Sequence, residues 1–177
     1  MSFQDFVLMH KSCTYSREHI LSQGDTIVLS ENQTTYCYVY GSNETFLNIH
    51  VDGGLVQDES QRCDYLLLNT TGMDTNEPNL HAIFIELKTK VQRKKFGDTC
   101  QQLESTIKKY SSELKPAILH ARIVTSNIEA RYPPKAPRIR SCKERFKKEL
   151  DCLFDYGAQM VEHTGKDGYP IRKLEFH

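Results

Sequence analysis

The sequence predicts an α/β domain, and three observations carry that expectation. Short runs rich in β-branched and aromatic residues recur through the first half of the chain. The apolar period then becomes helical at Phe96, and a further apolar run follows that helix. Strand, strand, strand, helix, strand, flanked by helices, is the order of a sheet covered on both faces. At 177 residues the chain suits one domain, 1–177, with a hydrophobic core of its own.

Each element has a local reason. Residues 3–23 place Phe3, Phe6, Val7, Met9, Ile20 and Leu21 among polar neighbours, which suits one helix or two. Thr26 to Leu29 and Tyr36 to Tyr40 read as strands, and Gly41-Ser42-Asn43 as a turn. Phe46 to Val51, Cys63 to Leu68 and His81 to Lys88 are three further apolar runs, separated by Asp52-Gly53-Gly54 and by a polar loop from Thr70. They are expected to form an antiparallel meander. Cys100, Leu103, Ile107 and Tyr110 then recur at three- and four-residue steps over 96–114, with Asp98 placed to suit the helix dipole. Pro116 ends that helix. Ala117 to Val124 is a fourth core strand, returning after a helix and so suited to parallel pairing. Pro133, Pro134 and Pro137 mark an exposed connection. Residues 142–162 are expected as a long last helix, striped by Phe146, Leu150, Leu153 and Phe154 and stopped at Gly165 to Gly168.

Composition excludes several classes. Hydrophobic content of 38% and charged content of 26% are those of an ordinary soluble protein, and no apolar run approaches the ~20 residues that span a bilayer. Met1-Ser2-Phe3-Gln4-Asp5 lacks the basic-then-apolar order of a signal peptide, so a cytoplasmic location without membrane contact is expected. Six cysteines without a Cys-x-x-Cys pair read as free thiols rather than a disulfide framework or zinc site. The chain has no phosphate-binding Gly-rich loop followed by Lys, no nucleophile elbow and no paired-His zinc helix.

The zero net charge hides an asymmetry. Residues 1–86 carry 3 Lys and Arg against 12 Asp and Glu; residues 87–177 carry the remaining 20 basic and 11 acidic residues. The basic half concentrates its charge at Lys88, Lys90, Arg93, Lys94 and Lys95. A second concentration runs from Arg131 to Lys148, with eight basic residues against the single acid Glu144. Such runs suit a polyanionic partner, and equally a wet helix face.

The chemistry-bearing residues sit on the second and third strands of the meander. Asp64 opens one apolar run, and Glu86-Leu87-Lys88 closes the next. Alternation places Glu86 and Lys88 on one face of a strand and turns Leu87 into the core. Two carboxylates and the Leu87 carbonyl can hold a hard divalent ion, and Lys88 can orient a water or stabilise a negative oxygen beside them. That is the equipment phosphodiester hydrolysis needs.

Asp64 followed by Glu86-Leu87-Lys88 resembles the PD-(D/E)xK nuclease superfamily, the fold shared by many restriction endonucleases. The resemblance covers residues 46–124, and the order Val51-Asp52-Gly53-Gly54, Cys63-Asp64-Tyr65, Glu86-Leu87-Lys88 and Gln102-Leu103 is similar to small uncharacterised bacterial members. It implies a restriction-endonuclease-like mixed sheet: a three-strand meander, a helix and a fourth strand, flanked by helices. It implies Asp64 and Glu86 as ligands of Mg²⁺ or Mn²⁺, Lys88 as the catalytic lysine and Gln102 beside the site. Cys63 stands where the superfamily often has proline. An upstream acid is also expected, and Glu18, Glu31 and Asp52 are all candidates. The implied activity is a metal-dependent endonuclease acting on DNA, or on RNA in its place, in restriction or phage defence, as a homodimer or with a partner protein. The competing expectation is a nuclease-fold module that is silent or gated and serves as an interaction subunit.

Overall fold

Residues 1–11, 14–16, 26–52, 55, 62–75, 78–126 and 134–173 are described by a computed structural model of the chain. The elements run α1 (Phe3–His10), β1 (Thr14–Ser16), β2 (Thr26–Glu31), β3 (Thr34–Val39), β4 (Thr45–His50), β5 (Tyr65–Asn69) and β6 (His81–Lys88). They continue as α2 (Phe96–Tyr110), β7 (Ile118–Thr125), α3 (Ala136–Leu150), β8 (Cys152–Ala158), β9 (Val161–Thr164) and β10 (Pro170–Arg172).

A six-stranded mixed sheet, in the order β1-β4-β5-β6-β7-β8, is the centre of the architecture. Its first four strands pair antiparallel, which includes the expected meander of β4, β5 and β6. β7 returns after α2 and pairs parallel to β6, with Glu86 opposite Ile123, and β8 adds in parallel beyond it. Because β6 and β7 are central, both of their faces are covered, and nearly every residue in them is buried.

The two faces are covered by different materials. Ala82, Phe84, Leu66, Leu68, Ala121 and Ile123 pack against α1, α2 and α3. The opposite face, with Ile83, Ile85, Leu87, Leu67 and Val124, packs against a second sheet in the order β10-β9-β3-β2. That second sheet is one-sided. Ile27 and Leu29 of β2, and Tyr36 and Tyr38 of β3, point inward while Thr26, Val28 and Ser30 face out. Helices therefore cover one face, and the expected helical cover of the other is replaced by strands.

Several boundaries depart from the sequence reading. The helix expected over 142–162 starts earlier, at Ala136, and stops at Leu150, where Asp151 adopts the left-handed conformation (φ 46°, ψ 42°). Cys152 and Phe154 then alternate inward from β8, so the four-residue spacing of Phe146, Leu150 and Phe154 imitated a helical stripe that a strand completes. Pro137 sits in the first turn of α3, where its missing N–H costs no hydrogen bond, rather than in a connection. Gly165 to Gly168 forms a turn between β9 and β10, with Gly168 at φ 82°. At the N-terminus the helix covers Phe3–His10 under a Ser2–Asp5 capping box, and Thr14–Ser16 is an edge strand on β4. No helix among the described residues is long and apolar enough to cross a membrane.

Candidate functional site

Asp64, Glu86 and Lys88 meet at one end of the central sheet, on the face that carries the helices. Asp64 is 4% exposed and precedes β5. Its backbone is stitched on both sides: its N–H donates to the Ile85 carbonyl at 3.1 Å, and its carbonyl accepts from the Val51 N–H at 2.8 Å. Its side chain continues the ladder past the end of β5, accepting the Leu87 N–H on Oδ2 at 2.5 Å. N–H and C=O of one strand residue point to the same edge, so the Leu87 carbonyl is turned toward the β5 side of β6, as its N–H is. The Leu87 side chain goes the other way, into the core between the sheets.

Glu86 is wholly buried, and Lys88 forms an ion pair with its Oε1. Glu86 Oε2 accepts no hydrogen bond from any described residue. A buried carboxylate oxygen without a donor is costly unless a cation satisfies it. Burial first, and then the neighbouring Asp64 carboxylate, push the Glu86 carboxyl up to about 8, against the pull of Lys88. Burial likewise raises Asp64 to about 6, although the Leu87 amide and Lys88 favour its charge. For Lys88, burial disfavours the ammonium, but Glu86, Asp64 and Glu31 outweigh it and hold it above the usual lysine range. The site thus holds more acid than its own cation neutralises.

Of the three upstream acids, Glu18 lies outside the described residues. Asp52 is within charge reach of Asp64, but its Oδ1 accepts from Arg62 Nε at 2.7 Å. Glu31 is the better placed: its charge acts on Asp64, Glu86 and Lys88 alike, and its Oε2 is buried without a partner among the described residues. It arrives through the β2–β3 hairpin, whose turn residues Asn32 and Gln33 both have positive φ. Thr89 Oγ1 donates to the Asn32 carbonyl at 2.7 Å and ties that turn to the end of β6.

Gln102 faces the same region from α2, donating through Nε2 to the Arg62 carbonyl at 3.4 Å, two residues before Asp64. Its hydrogen bond supports the chain entering the site. Thr106, one turn further along, accepts the Cys63 N–H on Oγ1 at 2.9 Å and donates to the Gln102 carbonyl at 3.0 Å. Proline at position 63 would have no N–H to give Thr106. The sequence offers no signal for Thr106 beyond its place on the buried face of α2.

The fit of a hard cation can be tested on these groups. Among the described residues no three His, Cys, Asp or Glu side chains converge in a ligating cluster. The available set is two carboxylates, from Asp64 and Glu86, and the Leu87 carbonyl. An all-oxygen set of this small size fits Mg²⁺ or Mn²⁺, which keep several positions for water and phosphate.

Basic side chains approach from one side. Lys90, Arg93, Lys94 and Lys95 are exposed on the segment after β6, and Arg138 Nη1 of α3 donates to the Arg93 carbonyl at 2.7 Å. The two basic concentrations of the sequence are therefore adjacent at this point, although Arg131 lies outside the described residues. No protein-family model, no curated protein and no solved structure matches the chain.

Proposed function

We propose that the protein is a metal-dependent nuclease of the PD-(D/E)xK type that hydrolyses phosphodiester bonds in DNA. The observation that carries this reading is Glu86: a wholly buried carboxylate with an unsatisfied oxygen, beside Asp64 and paired with Lys88. A desolvated carboxylate with a specific charge partner is a functional-site candidate.

Asp64, Glu86 and the Leu87 carbonyl would hold Mg²⁺ or Mn²⁺. Such an ion, when bound, supplies a Lewis acid and an activated water for in-line attack at phosphorus. The chain's own residues do the rest. The Leu87 amide fixes the Asp64 carboxylate, so its free oxygen is aimed before any ligand arrives. Lys88, about one-third exposed, places a positive charge where the attacking oxygen or the phosphoryl oxygens would be. Glu31 adds a third negative charge from the second sheet. Gln102 and Thr106 hold the strand entry that positions Asp64. Lys90, Arg93, Lys94 and Lys95 supply sequence-independent phosphate contacts. A role in restriction or phage defence, with a second copy or a partner protein completing double-strand cleavage, is the setting this chemistry suits.

Plasmid and single-strand cleavage with Mg²⁺, Mn²⁺ or EDTA tests the reading, with RNA as a parallel substrate. Metal-dependent cutting by the wild type that Glu86→Ala and Lys88→Ala both abolish is the expected result. Cutting that persists in EDTA, or in either variant, overturns the site. Absence of both cutting and Mn²⁺ binding leaves the fold as an interaction module.

A further inference from the structure

Cys100 of α2 and Cys142 of α3 face each other across the helix–helix contact with their sulfurs 3.0 Å apart. Both are buried, at 1% and 5% exposure, and both are free thiols. Neither belongs to the carboxylate site. Three features set this pair apart from Cys63 and Cys152, which are buried singly in the core. The sulfurs come from different helices, so a bond between them would join two elements that otherwise meet through side-chain packing and the Arg145–Glu104 ion pair. A cleft of about 220 Å³ reaches the pair and is lined by Arg138, Ser141 and Arg145. Arg138 gives it a positive charge, and Arg145 is held in place by an ion pair with Glu104 of α2.

We propose that Cys100 and Cys142 form a reversible dithiol–disulfide pair, served by anionic low-molecular-weight disulfides of the glutathione type entering through the arginine-lined cleft. The roles of the two sulfurs differ. The two sulfurs share one hydrogen bond, which either can donate, but Arg145 hydrogen-bonds Cys142, and a thiolate there is favoured by the Cys100 contact and by that guanidinium. The same contact, and then burial, hold Cys100 as a thiol. Cys142 is therefore the attacking sulfur and Cys100 the resolving one.

In the first step the Cys142 thiolate attacks one sulfur of glutathione disulfide, forming a mixed disulfide and releasing one glutathione thiolate. In the second, that thiolate or water takes the Cys100 proton, and the Cys100 sulfur attacks Cys142 Sγ and expels the second glutathione. Two protein thiols lose two electrons, and one glutathione disulfide becomes two glutathione thiols. The sulfurs must close from 3.0 Å to a bond of about 2.05 Å, a movement of about 1 Å between packed side chains. The bolt would tie α3 to the helix that carries Gln102 and Thr106.

The test uses the full chain, reduced and then equilibrated in a series of glutathione to glutathione-disulfide ratios. Samples are quenched in acid, alkylated and mapped as peptides without reduction. The expected result is a Cys100–Cys142 linked peptide that grows with the oxidised fraction and disappears in dithiothreitol. Cys100→Ser should stop at a glutathione adduct on Cys142, and Cys142→Ser should give no adduct on Cys100. Oxidised wild type should also melt several degrees above reduced protein, a difference that Cys100→Ala abolishes. Cys142 that stays alkylated as a free thiol at every ratio overturns the proposal. So does a linkage that runs through Cys13 or Cys37 instead. Should a serine variant fail to fold, as read by circular dichroism, the wild-type peptide map decides by itself.

Discussion

Asp64 Oδ2 accepts the backbone N–H of Leu87 across 2.5 Å, so a side chain occupies the place where the next residue of β5 would have paired with β6. One carboxylate oxygen thereby holds the strands in register, and the other takes no part in that bond. The hydrogen bond and the charge can be separated by substitution. Asp64→Asn keeps an acceptor for Leu87 and loses the charge; it should melt near wild type yet lose Mn²⁺ binding and cleavage. Asp64→Ala loses both, and leaves the Leu87 amide unpaired in a buried position. Its stability should drop by about 1–3 kcal/mol in chemical denaturation. Equal stability of the two variants would show that the hydrogen bond does not hold the register.

The raised carboxyl of Glu86 makes the metal-free protein sensitive to pH. The folded value, about 8, lies above the ordinary carboxylate value of 4.5, so the folded state binds the proton more tightly than the unfolded state does. Stability from this group is complete below pH ~4.5 and is lost as pH rises toward ~8, by an amount on the order of a few kcal/mol. Asp64 adds a smaller effect of the same sign between its ordinary 3.8 and about 6. Unfolding in EDTA from pH 5 to pH 8.5 should therefore show falling stability, and Glu86→Gln should flatten that slope. Mn²⁺ should restore stability most at high pH, where its ligands are already ionised. A Glu86→Gln protein with the wild-type pH slope would place the titration elsewhere.

Much of the site is legible in the sequence because its signals are local. Asp64 and Glu86-Leu87-Lys88 border uninterrupted apolar runs, and strand alternation alone puts Glu86 and Lys88 on one face. The meander and the parallel return of β7 follow from the same runs and from the helix between them. What could not be read depends on pairings distant in sequence. Glu31 cannot be preferred over Glu18 or Asp52 until the β2–β3 hairpin is laid against the end of β6. The second sheet closes through β9, pairing parallel to β3 across more than a hundred residues, and its residues sit where Phe146, Leu150 and Phe154 suggest a continuing helix. Thr106 looks like any half-polar position of an amphipathic helix until its hydroxyl is seen to receive the Cys63 amide.

The misread segment also hides a buried ion pair. Arg122 of β7 donates through Nε to Glu162 Oε1 of β9 at 2.9 Å, and Tyr36 donates to the other oxygen at 2.6 Å. The guanidinium is further satisfied by the carbonyls of Ala121 and Leu153. Glu162→Gln leaves Arg122 charged and buried between the sheets, and should cost about 3–5 kcal/mol. For a chain of this size that is a fall of roughly 6–20 °C in melting temperature. Replacing both partners, as Arg122→Met with Glu162→Leu, should recover most of the loss, because the penalty lies in the unpaired charge rather than in a missing attraction. A double variant as unstable as the single would instead assign the cost to packing around Tyr36.

The basic segment after β6 separates binding from chemistry. Lys90, Lys94 and Lys95 are exposed and lie outside the carboxylate cluster, so replacing all three by alanine should leave the fold and Mn²⁺ affinity unchanged. If they touch phosphates, the slope of log K against log salt for duplex DNA should become shallower by about 0.9 for each contact removed. Fluorescence anisotropy between 50 and 200 mM salt, values chosen to span the range where such contacts dominate, reads that slope directly. The triple variant should bind weakly at low salt and converge toward the wild type at high salt, where counterion release contributes little. An unchanged slope with intact cleavage would move the DNA path off this segment and onto the exposed arginines and lysines of α3.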